Sequence, residues 1–440
     1  MIKISNDIRT VEAFKSIAYT NKSAFITGNF SSGKSTLKQA IINLSNKKYL
    51  ELAPNELEAI KNEEVSFQSF FKIDKLVMDD DLTLYKELEY SKHQINFIKE
   101  LELIIIDEIS VFTSKNLDMM DMILQRVRGN NMPMGGIQLL IVGDLFNSSP
   151  CLSNKELKEI KKRWKSQYFF DAKCYESLEI ETHYLNQSFL APIEYYYTDF
   201  LDLLKQNRLK SDFLHDFNTM HFHDENSNTN NEVLLTLTHE EAEKINKNKS
   251  SKLKGRTFSS YATIEGNFNT ELLQVKPIIL AKENEQVILL KNKNDRFDSY
   301  HNGTVGVLKS IHMEFLEIET ERYGSLRINK KEWKNYQYKY DKDSKEFKKV
   351  VVGVFYQFPV ISGWAISIDD SKGMVFNKVY LENTSLLKKE HAYRAYSRAT
   401  GISAFAMKNV LSEENVNTNS LKQKFYREKV FQPVYGNLVD

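Results

Sequence analysis

At 440 residues, with Lys+Arg 60 against Asp+Glu 59 and a formal charge of +1, the chain is too long for one ordinary core and too nearly neutral to hold a polyanion by overall charge. A polyanionic partner must therefore meet a local basic groove. Cys151 and Cys174 form no CxxC pattern, the start MIKISNDIRT has no signal-peptide core, and no apolar run approaches the ~20 residues of a membrane span, so disulfide scaffolds, zinc ribbons and membrane proteins are excluded and a soluble, cytoplasmic protein is expected.

In chain order, apolar β-rich runs occur at SAFITG (23–28), KKYLELAP (47–54), LELIIIDE (101–108), IQLLIVGD (137–144), EVLLTLT (232–238) and NKVYLEN (377–383). Continuous apolar strands alternating with helical stretches read as parallel sheets covered on both faces. Helical patterns follow in SGKSTLKQAIINLSN, SKNLDMMDMILQRVRG and APIEYYYTDFLDLLKQN, and residues 74–98 form a small excursion from the first sheet domain. From about 284 to 350 the texture changes to short alternating runs, GTVGVLKSI, EFLEIET and SLRINKK, with NG and YG turns, which predicts an inserted β-barrel.

The chemistry begins at GNFSSGKST, residues 28–36, where Gly28, Gly33, Lys34 and Ser35 meet the pattern G-x-x-x-x-G-K-[ST] between a strand and a helix. Backbone N–H groups along this loop, including those of Ser31, Ser32 and Gly33, would face phosphates. Thr36 continues the helix N-terminus, Lys34 would reach the β and γ groups, and the Ser35 hydroxyl a Mg²⁺. LELIIIDEIS then sets Asp107 and Glu108 at the end of a buried strand, with Asp107 to hold the metal and Glu108 to activate water. Together they predict an ATP-hydrolysing site using ATP and Mg²⁺.

Two weaker signals are set against plainer readings. His215, His221 and His223 with Asp224 have no metal-ligand spacing, so no metal is expected there. Of Tyr195, Tyr196 and Tyr197, consecutive on a helix, one or two are expected in the core and not stacked on bases.

At LIIIDEIS with GGIQLLIVGDLFNSSP, and again at GWAISIDDSKGMVFNKVYLEN and AYRAYSRATG, the sequence resembles the PIF-one/RecD-like branch of superfamily-one DNA helicases. Further likeness lies in LAPNELEAI, VSFQSFF, HYLNQSF and QFPVISGWAIS, in the family's order along nearly the whole chain. The resemblance implies an α/β fold of two RecA-like parallel-sheet domains of the P-loop NTPase class, with ATP between them and a small inserted SH3-like β-barrel. The implied division is 1–175 for the first domain, 176–283 with 351–440 for the second, and 284–350 for the barrel. Residues 74–98 would occupy the place of the family's strand-separating wedge.

The implied activity is ATP-dependent translocation 5′ to 3′ on single-stranded DNA, with unwinding of forked or tailed duplexes. RNA is a further strand to consider, DNA repair a setting, and a monomer or a member of a larger DNA-processing assembly the expected state. By position, Arg398 matches the arginine that reaches the γ-phosphate. Asp144 matches the third motif and Gly373 ends the fifth, both on the nucleotide side. Asn55, Ser66, Gln68, Ser371 and Lys372 fall where the family touches nucleic acid.

Several positions depart from the family pattern. Val11 stands at the adenine-reading glutamine, Asn147 at the γ-phosphate-sensing glutamine and Leu190 at a second phosphate arginine. Asp369 and Asp370 replace a His and a Lys, and two carboxylates would repel a phosphodiester. The competing reading is a degenerate helicase that binds nucleotide and nucleic acid as a regulated scaffold, with weak or no unwinding.

Overall fold

The computed structural model describes residues 8–29, 32–73, 88–185, 195–209, 211–222, 231–294, 299–382, 387, 391–414, 416 and 418–431. The chain divides into two compact units. The first is Met1–Leu190 with Lys334–Gly353 and Lys424–Asp440, and the second is Ala191–Trp333 with Val354–Gln423.

The first unit is an α/β layer structure. Its strands are β1 (Ala24–Gly28), β2 (Tyr49–Ala53), β3 (Val65–Ser66), β4 (Leu103–Ile106), β5 (Gln138–Val142) and β6 (Glu181–Leu185). They form one six-stranded sheet of order β3-β2-β4-β5-β1-β6, every described pairing parallel. Parallel strands need helical crossovers. These are α2 (Lys34–Leu44), α3 (Glu56–Asn62), α4 (Phe67–Phe71), α5 (Lys92–Glu100), α6 (Ser114–Arg128) and α7 (Asn154–Arg163), while α1 (Ile8–Tyr19) precedes β1.

The expected strands in SAFITG, KKYLELAP, LELIIIDE and IQLLIVGD are all present, because β1, β4 and β5 are buried throughout and a mainly apolar run suits such strands. Ile26, Leu37, Ile41, Leu103, Ile105, Leu140 and Val142 pack with Phe14 and Ile17 of α1 into one core. Each such side chain contributes about 1.5–3 kcal/mol on leaving water. Helix ends carry local signals: Thr113 accepts from the Asn116 N–H at the start of α6, and Gly129 closes it at φ +67°.

The second unit contains α8 (Tyr195–Lys205), α9 (Ser211–His221), β7 (Val233–Thr236), α10 (His239–Lys252), β8 (Phe258–Tyr261), β9 (Thr263–Gly266), β10 (Ile278–Ala281), β11 (Gln286–Leu289), β12 (Lys293–Asn294) and β13 (Ser299–Tyr300). After these come β14 (Val305–Ile311), β15 (Phe315–Thr320), β16 (Gly324–Asn329), the hairpin strands β17 (Lys331–Asp341) and β18 (Glu346–Gln357), β19 (Val360–Ser362), β20 (Ala365–Ser367), β21 (Val379–Leu381), α11 (His391–Tyr396), β22 (Phe405–Met407) and α12 (Ser420–Phe425). A parallel sheet of order β20-β7-β21-β22 carries the second α/β layer.

The textural break at 284–350 corresponds to an antiparallel sheet of order β16-β15-β14-β11-β19, with Val287, Leu289, Leu308, Leu316, Ile318, Leu326, Ile328 and Val360 inside it. Its last strand lies beyond 350. The tip of the β17–β18 hairpin, Lys334–Gly353, groups with the first unit. The reason is aromatic: Tyr338 packs on Phe70 and Phe97, Phe347 on Phe97, and the Tyr340 ring stacks on His93 at 3.6 Å. Most of the 74–98 excursion lies outside the described residues; its described end is α5.

Candidate functional site

In the first unit, parallel pairing sends β1, β4 and β5 to the same sheet edge, and the order β4-β5-β1 sets Asp144, just past β5, between the other two strand ends. β1 ends at Gly28 with φ +149°, and the next N–H, of Asn29, donates to Leu185 O at 3.0 Å. A Cβ on Gly28 would stand 2.0 Å from that carbonyl oxygen, so only glycine lets the chain leave the strand here. Gly33, left-handed at φ +85°, opens α2 without a side-chain cap, at the helix end where backbone N–H groups favour an anion.

Lys34 lies back over the loop. Its Nζ donates to Asn29 O at 2.6 Å, Gly28 O at 3.3 Å and Ser32 Oγ at 3.4 Å. Ser35 and Thr36 are exposed on the first turn, whereas Ser32 is buried. Ser31 lies outside the described residues. Tyr184 holds the loop by donating to Asn29 Oδ1 at 2.8 Å.

β4 delivers Asp107 and Glu108 to the same edge. Asp107 is buried and accepts the Glu108 N–H on Oδ1 at 2.8 Å, while Glu108 is left-handed at φ +50° and half-buried. Asp107 Oδ2 also meets Lys38 Nζ at 2.6 Å. The Lys38 ammonium further reaches Glu51 at 2.7 Å and Glu64 at 3.0 Å. Burial works against this charge, yet the three carboxylates outweigh it and hold the Lys38 pKa well above the usual lysine range. Burial pushes the Glu64 carboxyl above the usual carboxylate range, and the Lys38 ammonium pulls it back down.

Asp144 is buried beside Gly143, whose φ of +152° lets the chain pass Ile109. Its Oδ1 accepts the Phe146 N–H at 3.1 Å, and the Tyr426 hydroxyl lies 3.5 Å from it and 2.6 Å from Thr27 Oγ1. Asn147 returns its N–H to Asp144 O at 3.1 Å. Val11 lies half-buried on α1.

A hydroxyl, Ser35, and a carboxylate, Asp107, are hard oxygen donors that suit Mg²⁺, an ion that takes few protein ligands and fills its octahedron with water and phosphate oxygens. Asp107 already faces a cation, the Lys38 ammonium, so the residues present fit that ion.

Of the nucleic-acid candidates, Asn55 caps α3 by accepting the Glu58 N–H at 3.0 Å, and Ser66 caps α4 by accepting the Ser69 N–H at 3.1 Å. Gln68 donates to Pro54 O at 3.2 Å. Asn55 follows β2, Ser66 ends β3 and Gln68 lies just beyond it. In the second unit, Ser371 is fully buried and donates to Ile368 O at 2.8 Å, so its hydroxyl shapes the turn from within. Lys372 is half-buried and Gly373 exposed at φ +79°.

The two carboxylates of this turn are balanced inside the unit. Arg394 Nη1 donates to Asp369 Oδ1 at 2.7 Å, and Asp370 Oδ2 meets His239 Nδ1 at 2.7 Å and the Ser367 hydroxyl at 2.7 Å. The repulsion expected from the sequence is therefore largely cancelled. The hydrogen bond that His239 donates to Asp370, opposed by slight burial, raises the His239 pKa.

Arg398 is fully buried, and its carbonyl accepts the Phe376 N–H at 2.7 Å. Buried Tyr197 donates to Ala399 O at 2.9 Å and also meets Tyr396 O, clamping the backbone on both sides of the arginine. Tyr197 is thus a core member of the tyrosine run. His221 is buried with Nδ1 3.1 Å from Phe405 O, and among the described residues no group of three or more His, Cys, Asp and Glu gathers as a metal cage. Leu190, His223 and Asp224 lie outside the described residues.

Sequence reasoning missed Lys38, Tyr426, Arg394 and His239. A signal existed for Lys38: charged residues interrupt otherwise apolar surfaces at YLELA on β2 and at the α2 face bearing Leu37 and Ile41.

The PIF1-like helicase family matches residues 5–209. The chain is 26% identical over 408 residues to the ATP-dependent DNA helicase Pif1 of Campylobacter jejuni, covering 88% of each. It is similar in structure to Bacteroides Pif1 in complex with ADP-AlF4, with TM-score 0.89, 22% identity and 99% of each chain covered. Bacteroides Pif1 bound to ssDNA gives a TM-score of 0.64 at 23% identity, over 97% of each chain. Among the described residues no helix is long and apolar enough to cross a membrane.

Proposed function

Because the PIF1-like helicase family matches residues 5–209 and the similarity to Campylobacter jejuni Pif1 runs along 88% of the chain, we propose that it is an ATP-dependent DNA helicase of that family, one that hydrolyses ATP to move 5′ to 3′ on single-stranded DNA and part forked or tailed duplexes. The observation that carries this reading is the single sheet edge where the Gly28–Lys34 loop, Asp107–Glu108 and Asp144 meet on parallel neighbours. Ligands of open α/β sheets bind at such carboxyl ends of strands.

In this reading the loop N–H groups and the Lys34 ammonium take the triphosphate, Lys34 exchanging Asn29 O for phosphate oxygens. Ser35 and Asp107 would hold Mg²⁺, which supplies charge neutralisation between phosphate oxygens when bound. Glu108 accepts a proton from the attacking water, and its strained left-handed backbone fixes where that carboxylate stands. Arg398, with its backbone clamped by Tyr197, is the arginine assigned to the charge that develops on the transferred phosphoryl group. Asn55, Ser66, Gln68 and Lys372 are assigned to the strand, with Arg394 and His239 keeping Asp369 and Asp370 from repelling it. The antiparallel insert Gln286–Ser362 is read as an SH3-like barrel, and the protein as acting in a reducing cytoplasm on DNA before RNA.

The test is phosphate release stimulated by single-stranded DNA, together with unwinding of a tailed duplex. Both are expected, and both should vanish in Lys34→Ala. Nucleotide binding without turnover, unaltered by Glu108→Gln, would instead identify a regulated scaffold.

A further inference from the structure

Lys38 sits one helical turn beyond Lys34 on α2, and it points into the sheet, with only 10% of its side chain exposed. Its ammonium has three hydrogen-bond donors, and three carboxylate oxygens surround it: Asp107 Oδ2 at 2.6 Å, Glu51 Oε1 at 2.7 Å and Glu64 Oε1 at 3.0 Å. These carboxylates come from three adjacent strands of the order β3-β2-β4. Glu51 is within β2, opposite Ile105 of β4; Glu64 immediately precedes β3; Asp107 immediately follows β4. β2 and β3 are the strands that lead into Asn55 and Ser66.

We propose that Lys38 is a positioning residue that joins the metal-binding carboxylate to the two nucleic-acid-facing strand ends, so that metal-nucleotide binding and strand binding are coupled through one buried ammonium. The inference rests on the nucleotide-site reading above. A divalent cation drawn to Asp107 competes with Lys38 for that carboxylate, and an ammonium released from Asp107 is left to Glu51 and Glu64 alone. The pull on β2 and β3 then changes with the occupancy of Asp107. By linkage, a strand that shifts β2 or β3 changes the hold of Lys38 on Asp107 and hence the affinity for the metal. Packing makes this link stiff: Glu64 is 2% exposed on its side chain, and Leu50, Leu52 and Val65 beside these acids are wholly buried.

The experiment is a Mg²⁺ titration of fluorescent-ADP binding, with and without a short oligo-dT, on the full chain and on Lys38→Met/Glu64→Gln. This double substitution removes one positive and one negative group together. In the unaltered protein the oligonucleotide should shift the Mg²⁺ half-saturation by about five-fold or more. In the double variant that shift should shrink below about two-fold, and the half-saturation without oligonucleotide should fall because no ammonium competes for Asp107. A folded double variant that keeps the full oligonucleotide-dependent shift overturns the proposal, as does an unaltered protein that binds the nucleotide with Mg²⁺ but shows no shift. Should the double variant fail to fold, Glu51→Gln, which leaves Lys38 on Asp107, is to be measured: a shift reduced by half or more supports the link, and an unchanged one overturns it. If the unaltered protein shows no Mg²⁺-dependent nucleotide binding at all, it is the nucleotide-site reading that fails.

Discussion

The sheet edge of the first unit and the Ser367–Gly373 turn of the second pose the same electrostatic problem and meet it at different depths. In the first, Glu51, Glu64 and Asp107 converge on Lys38 with little water present. In the second, Asp369 and Asp370 are balanced by Arg394 and His239, with Asp369 and His239 largely in solvent. The difference teaches that runs of acids cannot be judged by sign alone. A buried cluster must be compensated for the fold to form, whereas a half-exposed one is adjusted by its partners and screened by salt.

The largest effect should come from removing the cation of the buried cluster. Lys38→Met alone leaves three carboxylates without it and is expected to lower stability by about 3–5 kcal/mol, read from denaturant unfolding. A loss below ~1 kcal/mol would put that cluster on the same footing as the exposed one. Next, Lys34→Ala should cut DNA-stimulated phosphate release by about 10²–10³-fold with little change in unfolding, because Lys34 Nζ donates within its own loop, to Gly28 O, Asn29 O and Ser32 Oγ.

At the half-exposed turn the effects are smaller and appear in binding. Arg394→Met frees the Asp369 carboxylate and should weaken oligonucleotide binding by about 3–10-fold at low salt, while Asp369→Asn in the same background restores it. An Arg394→Met protein with unaltered affinity would remove this turn from the strand-facing surface. The smallest effect is a pH dependence at His239. Its folded pKa is raised by Asp370 and Glu243, the latter also meeting Lys276. The stabilisation is thus complete below the unfolded histidine pKa of about 6.5 and is lost as pH rises through the raised folded value. Screening limits it to a few tenths of a kcal/mol, about what an exposed ion pair supplies. Unfolding midpoints at acid and alkaline pH should converge in His239→Gln; an identical pH profile would show that the pair contributes nothing.

Legibility from sequence followed the range of the interactions. The loop and its glycines, the strand ending in Asp107 and Glu108, and the antiparallel insert are set by local pattern: apolar runs, a phosphate-loop spacing and turn residues. The hairpin tip was not legible as part of the first unit, because alternation along β17 and β18 reveals two strands and not that Tyr338 and Phe347 would meet Phe70 and Phe97. Ser371 looked like a strand contact by position, yet its hydroxyl turns inward to Ile368 O.

Local order along the chain was enough to fix the element types, the glycine loop between β1 and α2 and the acids at the end of β4, since backbone sterics, side-chain periodicity and short-range spacing act within a few residues. Which charges neutralise one another was settled only by folding. Lys38 lies 69 residues from Asp107 and Arg394 25 from Asp369. Electrostatic energy depends on separation and burial in space, and neither quantity is written in the linear order of the residues.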